Sequence, residues 1–106
     1  MTDLIHLTGA HYAILAPLLE LYAPDQGVLV FGSRATGKVK PYSDLDLCLM
    51  DEEPLSPEAI AGLHLAFEES DLPFRVDVVE WATLSDSFKA VVKRDGILLR
   101  AENLIH

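Results

Sequence analysis

The stretch that decides the fold is VLVFGSRATGKVKPYSDLDLCLM, Val28 to Met50. Val28-Leu29-Val30-Phe31 is a short, wholly apolar run of the kind a buried strand carries. Gly32 to Ser43 is polar and contains glycine, and reads as a loop. Asp44 to Met50 alternates in polarity and reads as a second strand. The connection from Phe31 to Leu45 is too short to hold a crossover helix together with its flanking loops. The two strands are therefore expected to be antiparallel neighbours in a mixed sheet.

Working outward, the pattern alternates helix and strand. Ile14, Leu15, Leu18, Leu19 and Tyr22 give one helical stripe from about His11, with Pro17 inside it expected to kink or restart the helix. Pro24 to Gly27 is a turn. Ser56 suits an N-cap with Pro57 at the first helical position, and Ile60, Leu63 and Phe67 mark a helix running to about Ser70. Phe74 to Trp81 is rich in β-branched and aromatic residues and predicts a third strand. Thr83 and Asp86 have capping-box spacing ahead of a stripe at Leu84, Phe88, Val91 and Val92, which Gly96 should close. Ile97 to Leu99 suits a short fourth strand. The expected fold class is α/β (α+β), a small mixed sheet with helices packed on it, in one domain over residues 1–106.

Composition narrows the function. The chain has 106 residues, half of them apolar, enough for one modest core that buries roughly 65% of the unfolded surface. Seventeen acidic residues oppose eight basic ones, for a net charge of −9. Nucleic-acid affinity rests on Lys and Arg neutralising phosphates, so a long DNA or RNA substrate is not expected. A partner with a basic surface suits the charge better. The lone cysteine, Cys48, excludes an intrachain disulfide and fits a reducing cytoplasm. Asp3 precedes any apolar run, so no signal peptide is read, and no apolar stretch reaches the ~20 residues of a membrane span.

Three features carry chemistry. Asp44 and Asp46 are two apart in a strand, so their side chains share one face, roughly 6 to 7 Å apart at Cα. Adjacent like charges weaken a sheet unless a cation lies between them, and oxygen-only ligands suit Mg²⁺ or Mn²⁺. A DxD alone is also what a solvated strand face carries. Gly32-Ser33 follows a buried strand, where glycine lets backbone N–H groups approach an anion. Arg34 and Lys38 could neutralise phosphate there, although no Walker Gly-Lys-Ser/Thr ending is present. Asp77 sits mid-strand among valines, where a carboxylate needs a metal, water or a basic partner, and Arg75 is such a partner. Together the three describe a two-metal nucleotidyl-transfer site, with ions about 3.5 to 4 Å apart clamping an in-line displacement.

Gly32-Ser33, Ser43-Asp44-Leu45-Asp46-Leu47 and Asp77 resemble the signature of the DNA polymerase β nucleotidyltransferase superfamily. The GSRATG start and short chain resemble its minimal nucleotidyltransferases, often antitoxins encoded beside a HEPN-domain ribonuclease toxin. The resemblance covers roughly residues 26–100. It implies Asp44 and Asp46 as paired metal ligands and Asp77 as the third carboxylate, which helps deprotonate the incoming hydroxyl. It implies that Gly32 and Ser33 hold the triphosphate, with Arg34 beside them. Thr36 departs from the pattern, which commonly has a second arginine there. The resemblance further implies two Mg²⁺ ions, an NTP substrate (ATP) and a hetero-oligomer with a HEPN toxin. The expected activity is then AMP transfer to a hydroxyl, of tyrosine, on that toxin. The alternatives are transfer to a small molecule such as an aminoglycoside, and an antitoxin acting by binding alone.

Other residues read more plainly. Cys48 is expected in the core, His64 on the surface or in a structural role, and His6, His11 and His106 lack metal-ligand spacing. Trp81 and Tyr42 could stack on a base, but Trp81 better suits the core or a partner contact and Tyr42 a loop. Glu80 falls on the face opposite Asp77.

Overall fold

The computed structural model describes residues 4–105; Asp3 and His106 lie outside the described residues. Strand β1 (Val28–Phe31) pairs antiparallel with β2 (Leu45–Leu49), which pairs parallel with β3 (Val76–Glu80). A two-residue β4 (Ile97–Leu98) pairs antiparallel with the other side of β1. The order β3-β2-β1-β4 is a mixed sheet, as expected from the short β1–β2 connection. Strand β1 has the bounds its sequence pattern suggests, while β2, β3 and β4 are one to three residues shorter than theirs, the usual uncertainty of element ends.

Helices sit on both faces. On one face, α1 (Gly9–Tyr22) and α3 (Pro57–Glu68) bring Leu15, Leu19, Leu63 and Phe67 onto Val28, Val30, Leu45, Leu47, Leu49 and Val76. This is the main core. On the other face, α4 (Asp86–Asp95) packs Val92 against Phe31 and Cys48, with Leu29, Val79, Met50 and Trp81 around them. Strand parity therefore puts Asp46 and Asp77 on the α4 face, with Cys48 and Val79. Cys48 is fully buried, as expected, and its burial pushes the thiol pKa up.

The structure refines the local readings at four places. Helix α1 runs unbroken through Pro17, whose missing N–H leaves one carbonyl of the preceding turn without its intrahelical donor on an exposed face. The Gly32–Ser43 loop contains a one-turn helix, α2 (Ser33–Thr36). The N-cap of α4 is Ser85, which accepts from the Phe88 N–H at 3.2 Å, while Thr83 ends a single 3₁₀ turn. Gly96 does close α4, but with φ −68 rather than a left-handed turn. Its reason is space: a Cβ there would lie 2.5 Å from the Val92 carbonyl and 2.9 Å from Leu29 Cδ1.

The start of α1 is a capping box that uses histidine. Thr8 Oγ1 accepts from the His11 N–H at 3.1 Å, and His11 Nδ1 accepts from the Thr8 N–H at 3.3 Å. An accepting Nδ1 must be unprotonated. Partial burial, and then the nearby Arg34 charge, hold the His11 pKa below the ordinary 6.5. The unfolded chain thus takes up this proton first as pH falls, so the His11 contribution is intact above neutrality and lost below about pH 6.5. Glutamine can make the same capping box without titrating. Between about pH 7.5 and about pH 5.5, thermal denaturation should show a larger drop in Tm for the wild type than for His11→Gln. Equal drops would remove the role of His11.

Candidate active site

The parallel register sets Asp46 directly beside Asp77, and the antiparallel register sets Asp46 beside Phe31 at the end of β1. Asp44 lies in the extended segment one residue ahead of β2 and is exposed. The Ser43 hydroxyl accepts from the Lys40 N–H at 2.8 Å and closes the turn that delivers Asp44. Burial first, then the Asp77 and Asp44 charges, raise the Asp46 pKa above the usual carboxylate value of 3.8. The three carboxylates therefore share one electrostatic field. Asp77 has one cationic neighbour, Arg75, with Nε–Oδ1 at 3.4 Å; both side chains are solvent-exposed, so the pair is worth little.

Gly32 links β1 to α2 with φ 71. A Cβ there would overlap the Asp46 carboxylate. Glycine is needed twice at this position, for the backbone region and for the approach of the carboxylate. Ser33 opens α2 and is half-buried, while Lys38 is exposed just past that helix. Gly32 and Ser33 thus flank Asp46 on the β1 side, and Asp77 flanks it on the β3 side.

Arg34 is a correction. It is only 4% exposed, and its guanidinium is engaged by main-chain carbonyls. Nε donates to the Ser43 carbonyl at 3.0 Å, Nη1 to the His6 carbonyl at 2.7 Å and Nη2 to the Pro41 carbonyl at 3.1 Å. The guanidinium lies 4.0 Å from the centroid of Phe74, whose ring meets His11 edge-on. The planar fork of arginine matches three diverging carbonyls in a way lysine cannot. Nothing local in the sequence signals this, because the three carbonyls come from the N-terminal segment and from a loop with no regular pairing of its own. With Arg34 so engaged, Lys38 remains as the cation nearest in sequence to the Gly32-Ser33 turn, and among the described residues it makes no ion pair.

The donor set fits a hard divalent cation in kind: oxygen atoms only, like-charged, on one face, at neighbouring register positions. Among the described residues no three His, Cys, Asp or Glu side chains are yet drawn close enough to hold an ion. The carboxylates would turn inward around it. Trp81 is half-buried under Lys89 and Lys93, whose ammonium groups are 5.1 and 5.6 Å from its ring centroid. Tyr42 is 77% exposed in its loop. His64 is exposed, and Glu80 accepts from the Leu55 N–H on the far side of the sheet from Asp77.

A mixed sheet with an acidic cluster beside a Gly-Ser turn defines a nucleotidyltransferase-type protein. The chain belongs to the nucleotidyltransferase domain family, whose profile matches residues 13–99. It is 46% identical over 96 residues to a probable protein adenylyltransferase, MntA of Haemophilus influenzae, covering 91% of this chain and 84% of that one. Among solved structures it resembles a toxin–antitoxin complex with AMP-PNP, at TM-score 0.69 and 24% identity over 84% of this chain and 72% of that one. It also resembles a mutant MntA–HpeT toxin–antitoxin complex, at TM-score 0.61 and 23% identity over 81% of this chain and 68% of that one. At those identities the structures establish the shared fold.

Two variants test the construction of the site. Arg34→Lys keeps the charge but can serve at most one or two of the three carbonyls, at a cost on the order of 2–4 kcal/mol. It should lower Tm by about 10 °C or more, read by circular dichroism, and an unchanged Tm would sink the anchoring role. Gly32→Ala should leave a folded protein with at least about tenfold lower turnover, since the Asp46 carboxylate must move and small displacements at a reacting centre cost heavily. Wild-type turnover in Gly32→Ala would contradict the close approach.

Proposed function

We propose that this chain is a metal-dependent protein adenylyltransferase that acts as an antitoxin, moving AMP from ATP to a hydroxyl, of tyrosine, on a cognate HEPN ribonuclease toxin. One observation carries the reading: Asp46 is flanked by Gly32-Ser33 on one side and Asp77 on the other, so that a nucleotide tail and an attacking hydroxyl would meet it from opposite directions. The 46% identical relative named as a probable protein adenylyltransferase, and the toxin–antitoxin complexes sharing the fold, support the activity and the kind of partner. The HEPN identity of the toxin rests on the superfamily resemblance.

In this reading Asp44, Asp46 and Asp77 hold two Mg²⁺ ions. Bound there, the metal supplies positive charge to the phosphate oxygens and to the carboxylate cluster. Ser33 and the backbone of the Gly32-Ser33 turn hold the triphosphate, and Lys38 adds a mobile positive charge. Asp77 accepts the proton of the acceptor hydroxyl. The hydroxyl oxygen then bonds to the α-phosphorus as the bond to the β-phosphate bridging oxygen breaks, and pyrophosphate departs on the Gly32-Ser33 side. Most of the acceleration comes from alignment and charge stabilisation.

Incubation with α-labelled ATP and Mg²⁺, with and without the product of the neighbouring gene, followed by intact mass, tests the proposal. The expected result is an AMP-sized mass gain on the partner, abolished in Asp44→Asn and in Asp46→Asn. Because burial first, and then the charges of Asp77 and Asp44, raise the Asp46 pKa, its ionised form opposes folding at neutral pH; Asp46→Asn should therefore melt at or above the wild-type Tm without metal. Turnover retained in the Asp44→Asn, Asp46→Asn double variant would overturn the ligand assignment. A tight complex without label would favour an antitoxin acting by binding alone, and label on an aminoglycoside would favour small-molecule transfer.

A further inference from the structure

We propose that the outer face of α1 and α3 is a docking surface for a partner protein, which it takes through an apolar patch bordered by lysine and arginine. The inference rests on the reading above for the choice of partner, and on the surface itself for the chemistry. The face lies across the sheet from Asp46 and Asp77, which stand on the α4 side. Holding a partner there is therefore separate from the transfer of AMP.

A helix with one side on a core ordinarily turns polar residues to the solvent. Helix α1 does not. Away from the buried Leu15 and Leu19 it presents Ala13, Pro17 and Leu21, spaced four residues apart on one stripe and all exposed. Helix α3 packs beside α1 and widens the surface. Their contact is close at Gly62, where a Cβ would lie 2.6 Å from Tyr22 Cε1. Ala61 and Leu65 of α3 are exposed on that layer. Leu21 at 69% and Leu65 at 53% are the most exposed large aliphatic side chains among the described residues. Single exposed leucines are ordinary, but two adjoining helices with apolar outer positions mark an interaction site. Pro17 adds a polar feature: it has no N–H for the Ala13 carbonyl four residues earlier, so an acceptor lies within the stripe. A lysine or arginine of the partner is a donor for it.

Charge selects the occupant. Neither helix contains a lysine or an arginine. Glu20, Glu58, Glu68 and Glu69 border the apolar positions, all exposed. The eight basic residues of the chain all lie outside residues 1–33 and 51–74. A second copy of this chain would bring these carboxylates against themselves, and like charges across an interface cost affinity. A partner with a basic border meets them with opposite charge and is drawn in by the net charge of −9.

The test uses the full chain and the purified product of the neighbouring gene. Calorimetry gives the Kd for the wild type and for two double variants, Leu21→Glu with Leu65→Glu and Glu58→Lys with Glu69→Lys. All four positions are exposed, and circular dichroism checks that both variants fold. Each double variant should weaken the complex by at least about tenfold. An unchanged Kd in either would overturn the proposal, as would a wild type that does not bind this partner. Self-association of the wild type in sedimentation velocity, abolished in the leucine variant, would assign the face to a second copy and overturn it as well. Added α-labelled ATP and Mg²⁺ keep the two readings apart. Label on the partner with both variant Kd values unchanged would overturn the docking face and leave the transferase reading standing. Weakened binding in both variants with no label from the wild type would uphold the docking face and overturn the transferase reading.

Discussion

The guanidinium of Arg34 is the interaction on which the site depends. It is the one buried charged side chain among the described residues, and it is balanced by three main-chain carbonyls and an aromatic face rather than by a carboxylate. Those carbonyls belong to His6, Pro41 and Ser43, so a single side chain ties the N-terminal segment to the loop that ends at Asp44. The His6 N–H returns a bond to the Arg34 carbonyl at 2.8 Å. Ile5 in turn pairs with Leu104, so that both ends of the described chain meet beside this junction. A buried charge stripped of such partners is costly, and this makes the arrangement all-or-none rather than adjustable. The loop before Asp44 has no strand or helix of its own beyond one turn, and Arg34 supplies the order that regular structure would otherwise give.

Against that rigid frame the carboxylates are set in conflict. Asp46 and Asp77 are neighbours in register on the same face, and Asp44 adds its charge from the strand end. A fold selected for stability alone would not place three like charges here. The conflict is tolerated because the site lies at the rim of the α4 face. Below it, Phe31, Cys48 and Val92 close a small second core, with Phe88 meeting Phe31 edge-on at 5.7 Å. The main core, on the other face, keeps its apolar residues clear of the conflict. Stability and chemistry are thus divided between the two sides of one sheet.

The acidic surface and the sheet edge fit together in the same way. Three of the four arginines pair locally with Asp77, Asp95 and Glu102, the fourth is buried, and two of the four lysines lie over Trp81. Little positive charge is left to meet a polyanion along the surface, while α3 ends in a run of carboxylates next to the free edge of β3. The carboxylate face belongs to a chain of the nucleotidyltransferase domain family. The surroundings of that face, in particular the way the charges are distributed, are features of this chain.

The sequence by itself determined what depends on local rules. The apolar run at Val28–Phe31, the two-residue period of Asp44-Leu45-Asp46 and the short connection between them specified an antiparallel pair. The caps at Ser56 and Gly96 marked where helices start and stop, and an aspartate among valines at Asp77 stood out because nothing apolar explains it. The tertiary structure alone decided what depends on distant atoms. Thr83 lost the cap of α4 to Ser85, two residues on, a choice within the error of any local pattern. Pro17 stayed inside an unbroken helix because its exposed face and the packing of Leu15 and Leu19 outweigh one lost bond. Arg34, which follows Gly-Ser in the order a phosphate ligand would, turned inward because three unpaired carbonyls converge behind it. Its partners are as far as 28 residues away in sequence, and a side chain's choice between a phosphate and a buried carbonyl is set by that distant geometry, which no local spacing encodes.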